Sequence, residues 1–134
     1  MESAEQRQMR RQHIFAVNGS PDFLGVLREL LQGEDYNVTT TNYVPNTFEQ
    51  IAALHPSLLI IDLVIGHRAG ADLLARLAEG AATREIPVIV VSTNRHLLDD
   101  VEMGPLRTSE YRYLVKPFDL DDLLKAVDEL IGPA

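Results

Sequence analysis

The feature that most constrains the fold is a repeated alternation of short apolar runs with amphipathic stretches, from His13 to Ile131. Runs rich in β-branched residues predict buried strands, and apolar residues recurring every three or four positions predict helices. The predicted strands are His13–Val17, Tyr36–Thr41 (at a sheet edge), Ser57–Asp62, Ile86–Ser92 and Glu110–Lys116. The predicted helices are Pro21–Gln32, a helix after Asn46 that carries Phe48 to Leu54, Ala71–Glu79, Asn94–Met103 and a helix that Asp119 caps and that runs to Ile131. Asn46 and Glu49 have the spacing of a capping box.

Five strands that each precede a helix imply right-handed crossovers and a parallel sheet with helices on both faces. We therefore predict an α/β fold, a single doubly wound (βα)5 domain over residues 13–134. Residues 1–12 are polar and predict a flexible N-terminal extension.

Composition excludes several classes of function. The chain has no cysteine, so it has no disulfide framework and no thiolate metal site. Its apolar runs are too short for a membrane helix, and its net charge of −8 disfavours nucleic acid and anionic membranes as direct partners. A cytoplasmic location is the expectation. The four histidines have no metal-ligand spacing.

Four polar residues lie at the ends of predicted strands: Asn18, Asp62, Ser92 and Lys116. In a parallel sheet the carboxyl ends of the strands meet at one edge, where the ligand crevice opens. The sequence therefore predicts that these four side chains converge on one site, with Asp62 paired to Lys116.

The same residues carry a resemblance to a known family. The apolar strand ending at Asp62, the run Ile86–Ser92 and the run Tyr113–Phe118 are similar to the motifs of response-regulator receiver domains, the flavodoxin-like modules of two-component signalling. The similarity extends roughly over His13–Ile131. It implies a sheet of order 2-1-3-4-5.

The resemblance also implies roles for individual residues. Asp62 would be the phosphoacceptor, with Lys116 and the Ser92 hydroxyl binding the phosphoryl oxygens. Tyr113 matches the switch aromatic, and the peptide bond between Lys116 and Pro117 would be cis. These roles describe a signalling domain, not an enzyme with an external substrate.

The chain departs from the family at the metal site. Receivers carry two or three acids after the first strand, where this sequence has Asn18 and Gly19. Asn18 and Gly19, at which the expected acidic ligands are missing, and the backbone of Val64 are therefore degenerate metal positions. Asp62 is the one carboxylate left, and each lost acid is expected to lower the affinity for Mg²⁺ by about tenfold. Mg²⁺ binding is therefore expected to be weak or absent. No organic cofactor is expected.

Three functions remain open from the sequence. The first is a phosphoryl-accepting receiver modified on Asp62, and the second is a phosphorylation-independent pseudo-receiver that serves as an interaction or dimerisation module. The third, a flavin- or nucleotide-binding protein, is disfavoured because neither Gly19 nor the loop Gly66–Gly70 forms a phosphate-cradling glycine motif.

The expected partners are a histidine kinase or phosphotransfer protein upstream and an unknown protein effector downstream. A homodimer through the face of the predicted fourth helix (Asn94–Met103), fifth strand and fifth helix is a further expectation. The chain ends just after its last predicted helix, so we expect no output domain: it acts in trans or is the receiver part of a longer protein.

Overall fold

The computed structural model describes residues 12–18, 21–42, 46–63, 68–96 and 110–132. Its strands are β1 (His13–Val17), β2 (Asn37–Thr41), β3 (Leu58–Leu63), β4 (Val88–Ser92) and β5 (Tyr111–Val115). Its helices, in this part of the chain, are α1 (Pro21–Gly33), α2 (Thr47–Leu54), α3 (Ala69–Glu79) and the C-terminal helix α4 (Leu120–Ile131). The strands form one sheet of order β2-β1-β3-β4-β5, and all four pairings are parallel. The predicted fold class and strand order are confirmed.

Side chains that alternate along the strands build one core on each face of the sheet. One core joins the strands to α1 and α4, and Ile14, Leu27, Ile60 and Leu123 lie at its centre. The other joins them to α2 and α3. β3 and β4 are buried along their whole length because helices cover both of their faces.

Several predicted boundaries were wrong. β3 continues past Asp62 to Leu63, which pairs with Ser92, so the carboxylate is not the last residue of its strand. β4 begins at Val88 rather than Ile86, because the Ile86 N–H bonds back to Thr83 in a turn.

The helix starts also differ from prediction. α3 begins two residues early, at Ala69. The capping box does not form, since Asn46 makes no side-chain capping hydrogen bond to α2. Asp119 does occupy the N-cap position of α4, in an extended conformation, and likewise makes no side-chain capping bond.

Two parts of the prediction fall largely outside the described residues. Of the predicted fourth helix, only Arg95 and His96 are described and helical. Of the predicted extension, only Gln12 is described. Its carbonyl accepts a hydrogen bond from the Asn37 N–H, and its side-chain amide donates to the Ile131 carbonyl at 2.6 Å. The division at residues 12 and 13 stays a prediction.

Candidate functional site at the carboxyl edge of the sheet

The parallel arrangement brings the ends of β1, β3, β4 and β5 to one edge of the sheet. Asp62 lies opposite Val91, and Ser92 lies opposite Val115. The backbone N–H of Lys116 donates to the Ser92 carbonyl at 2.8 Å, which fixes the residue after β5 to the end of β4. The Lys116–Pro117 peptide bond is cis, as predicted.

Asp62 and Lys116 form the ion pair that their strand-end positions predict. The Nζ atom of Lys116 lies 2.9 Å from Oδ1 of Asp62. The carboxylate side chain is 8% exposed and the lysine side chain 22%, so the pair is sheltered but open to solvent on the lysine side. A sheltered carboxylate and a cation therefore lie in contact at this edge, and these are the two kinds of group that transfer of an anionic group to a carboxylate would use.

Phe23, in the first turn of α1, also contacts the lysine. The Nζ atom of Lys116 lies 4.2 Å from the centroid of the Phe23 ring. The Phe23 and Phe118 rings form a T-shaped pair with a centroid distance of 6.2 Å and an interplanar angle of 83°. The sequence pattern places Phe23 on the inward face of a helix and so misses this contact. The signal that could have found it is an aromatic residue in the first turn after β1, directly at the predicted crevice.

Asn18 is 3% exposed and follows β1 at the same edge. Its backbone N–H donates to the Thr41 carbonyl at 3.1 Å, which extends the pairing of β1 with β2 by one residue. A neutral amide thus occupies a buried position where the resemblance implies an acid.

Ser92 is fully buried, and its hydroxyl is engaged by backbone groups. Oγ donates to the Leu63 carbonyl at 2.7 Å and accepts from the Asn94 N–H at 3.0 Å. Ser92 and Tyr113 lie on the sheet face that α2 and α3 cover, in adjacent strands. Tyr113 is half-buried, and its ring centroid is 6.3 Å from that of Tyr111.

The described residues at this edge offer a magnesium ion the carboxylate of Asp62 and the amide of Asn18. In the part of the chain that the structure describes, no three His, Cys, Asp or Glu side chains are grouped to hold a metal. Asp62 is already paired with a cation, and Asn18 offers one neutral oxygen. Mg²⁺ demands near-octahedral oxygen ligation from one or two carboxylates and substrate phosphates. Gly19 and Val64, the other degenerate metal positions, lie outside the described residues.

Comparison with known proteins decides the family. The family model described as "response regulator receiver domain" matches residues 14–128. The chain belongs to this family. The receiver is thus a signalling domain of the two-component type, as its motifs predict.

Relatives of this receiver include short and long proteins. Protein PilG of Pseudomonas aeruginosa is 31% identical over 114 residues, which cover 85% of this chain and 83% of PilG. The nitrogen assimilation regulatory protein NtrX of Azorhizobium caulinodans is 26% identical over 83% of this chain but only 24% of its own length. The sensor histidine kinase TmoS of Ectopseudomonas mendocina is 28% identical over 95% of this chain and 13% of its length. The chain thus spans about a quarter or less of the length of these two longer relatives.

Solved structures agree on the fold. A sensor protein from Polaromonas sp. JS666 has a TM-score of 0.76 at 24% identity, covering 90% of this chain and 96% of that one. The chemotaxis protein CheY4 of Vibrio cholerae has a TM-score of 0.72 at 18% identity, with 90% and 98% coverage. No helix in the described ranges is long and apolar enough to cross a bilayer.

Proposed function

We propose that this receiver accepts a phosphoryl group on Asp62 and signals by a conformational change to a protein partner. The observation that carries the proposal is the sheltered Asp62–Lys116 pair, 2.9 Å apart at the edge where four strand ends meet. In the transfer, a carboxylate oxygen of Asp62 attacks the phosphorus of a phosphohistidine. The P–O bond forms as the P–N bond breaks, and the imidazole leaves with the bond's electron pair.

The neighbouring residues have proposed roles in this step. The Lys116 ammonium stabilises charge on the transferred phosphoryl oxygens. The Ser92 hydroxyl releases the Leu63 carbonyl and donates to a phosphoryl oxygen instead. Tyr113, on the same sheet face as Ser92, moves inward when the hydroxyl turns, which transmits the change to the β5 edge.

Magnesium is proposed to bind weakly or not at all. The support is the donor set: one carboxylate that already faces an ammonium group, with a buried amide at Asn18. Each missing carboxylate lowers the affinity for a divalent cation by about tenfold. The proposed acceptance of phosphate therefore depends on Lys116 for its cationic charge.

A second function is favoured by one observation, the amide of Asn18 in place of an acid. A receiver that cannot hold Mg²⁺ can act as a phosphorylation-independent pseudo-receiver, in which the Asp62–Lys116 pair is purely structural. Its output would be docking or dimerisation through an unchanging surface.

Intact mass spectrometry after incubation with phosphoramidate or acetyl phosphate, with and without Mg²⁺, separates the two functions. The first predicts a mass increase of about 80 Da that Asp62→Asn abolishes. Asp72→Asn, which alters an exposed carboxylate in α3, is the matched control and should keep the adduct. No adduct under any of these conditions would favour the pseudo-receiver.

The partners follow from the proposed reaction. A histidine kinase or phosphotransfer protein supplies the phosphoryl group, a role supported by the match to part of a sensor histidine kinase. The downstream partner is a protein effector. Dimerisation through the face that includes β5 and α4, and a cytoplasmic location, stay predictions.

A further inference from the structure

The ammonium group of Lys116 makes two contacts of different kinds. It pairs with Asp62 at 2.9 Å and lies 4.2 Å from the centroid of the Phe23 ring. The face of an aromatic ring carries negative charge density and attracts a cation placed within about 6 Å of its centroid. The lysine is therefore held by a carboxylate and an aromatic ring together.

The Phe23 ring is itself held in place. It packs against the Phe118 ring in a T-shaped arrangement with centroids 6.2 Å apart, and both rings pack on the core that joins the sheet to α1 and α4. Phe118 follows Lys116 by two residues, so the loop after β5 carries both the cation and the ring that supports Phe23. This packing holds the Phe23 ring beside the ammonium group of Lys116.

An aromatic ring offers a particular advantage beside a phosphoryl site. A carboxylate in the same place would repel the arriving anion and occupy the N–H donors of the lysine. A ring face attracts the ammonium group without adding a formal negative charge. It therefore leaves Lys116 able to donate to phosphoryl oxygens once the Asp62 oxygen has bonded to phosphorus. This matters most here, where Asn18 replaces an acid and the lysine is the proposed source of positive charge.

We propose that Phe23 is a positioning residue for phosphoryl transfer, which orients the Lys116 ammonium group through its ring face. The inference rests on the proposed function, phosphorylation of Asp62. It adds a residue that the family's motif positions at the strand ends do not include.

The test compares rates of Asp62 phosphorylation by phosphoramidate, measured by intact mass over time. Phe23→Leu keeps apolar bulk but removes the ring, and is expected to lower the rate about three- to tenfold, the effect of a single cation–π contact. Phe23→Tyr keeps a ring and should stay within about twofold of wild type. Phe48→Leu is the matched control, since Arg76 lies over the Phe48 ring at the same 4.2 Å on the opposite sheet face. It should leave the rate unchanged.

A second series distinguishes electrostatic positioning from packing. Replacing Phe23 by phenylalanines with one, two or three ring fluorines hardly changes its size but progressively weakens the negative ring face. The logarithm of the rate should fall steadily with the number of fluorines. In parallel, NMR of the folded, unphosphorylated chain should show a ring-current shift of the Lys116 side-chain protons that Phe23→Leu removes.

The outcomes are separable. If the wild type is phosphorylated and neither Phe23→Leu nor fluorination changes the phosphorylation rate, the positioning role is wrong. The proposed function is then unaffected. A wild type that takes no phosphoryl group overturns the proposed function, and the positioning role falls with it even if the ring-current shift is present. A phosphorylation rate that falls with each added fluorine at position 23, together with an unchanged rate in Phe48→Leu, supports both the proposed function and the positioning role.

Discussion

The hydroxyl of Ser92 donates a 2.7 Å hydrogen bond to the carbonyl oxygen of Leu63, its register neighbour across β3 and β4. The same hydroxyl accepts the Asn94 N–H at 3.0 Å, so it joins the end of β3 to the loop after β4. Any contact between this hydroxyl and a phosphoryl group on Asp62 must compete with that backbone bond. The end of β3 and the proposed phosphoryl site would therefore be linked through this single oxygen atom.

Removing that oxygen is expected to weaken the fold. Ser92→Ala leaves a buried carbonyl and an N–H without this partner, and should lower the free energy of unfolding by about 1–2 kcal/mol. Urea denaturation measures the change. Ser57→Ala is a suitable control, because the Ser57 hydroxyl accepts only a long 3.4 Å bond from the His13 N–H and its loss should be smaller. Equal effects of the two substitutions would contradict the prediction.

The Asp62–Lys116 pair should show energetic coupling in a double-mutant cycle. Lys116→Met removes the cation at 2.9 Å from an almost buried carboxylate, and is expected to destabilise the fold by about 1–3 kcal/mol. In an Asp62→Asn background the same change should matter much less, since no charge is then left behind. Chemical denaturation of the four proteins at neutral pH gives the coupling.

The exposed pair of Arg76 and Glu49 provides the control cycle. Its atoms are 3.3 Å apart, but both side chains are more than half exposed, so Arg76→Met and Glu49→Gln should be nearly additive. A coupling at Asp62 and Lys116 no larger than at this surface pair would show that the crevice pair contributes nothing special to stability.

The sheet could be predicted from sequence because its signals are local and strong. Apolar runs such as Leu58–Ile61 have no alternative to burial on both faces, and their alternation with helices leaves few allowed topologies. The strand order came from the family resemblance. The ends of the elements were less predictable, since they depend on competing hydrogen bonds. Ile86 bonds back to a turn, and the Asn46 side chain does not cap its helix.

The candidate site was predictable to the extent that strand ends determine it. The pairing of Asp62 with Lys116 follows from two strands that end at the same edge, and the structure places the two groups in contact. The position of Phe23 over the lysine does not follow, because helical periodicity gives the face of a residue but not its distance to a side chain on another element. The hydrogen bond from the Ser92 hydroxyl to the Leu63 carbonyl could not be predicted from the sequence, for the same reason.

Gly80, at the C-terminal end of α3, is expected to tolerate no side chain. A Cβ atom there would lie 2.5 Å from Oγ1 of Thr83 and 3.3 Å from the Phe48 ring. Thr83 cannot easily move, because its buried hydroxyl donates to the Leu77 carbonyl at 2.8 Å. Gly80→Ala should therefore destabilise the fold by about 1–3 kcal/mol.

Gly25 is the matched control for that substitution. It lies inside α1, and a Cβ atom there meets nothing within 4 Å. Gly25→Ala should stabilise the fold by up to about 1 kcal/mol through helix propensity. Thermal unfolding of both variants checks the pair, and opposite signs are the required result.

His13 should make stability depend on pH near the lower end of the physiological range. Burial lowers the pKa of this histidine below its ordinary value of 6.5, and its Nε2 atom lies 2.7 Å from Oγ1 of Thr39. A lowered pKa means that the unfolded chain binds the proton more readily than the folded chain. Stability is therefore fully present above pH 6.5 and is lost as the pH falls through that value towards the lower folded pKa.

Urea denaturation at intervals between about pH 7.5 and pH 5 should show this loss in the wild type. His13→Gln keeps a polar side chain that does not titrate, so the difference between the two curves should be constant above that window and change within it. Curves that remain parallel throughout would mean that His13 takes up its proton equally well in the folded and unfolded chains.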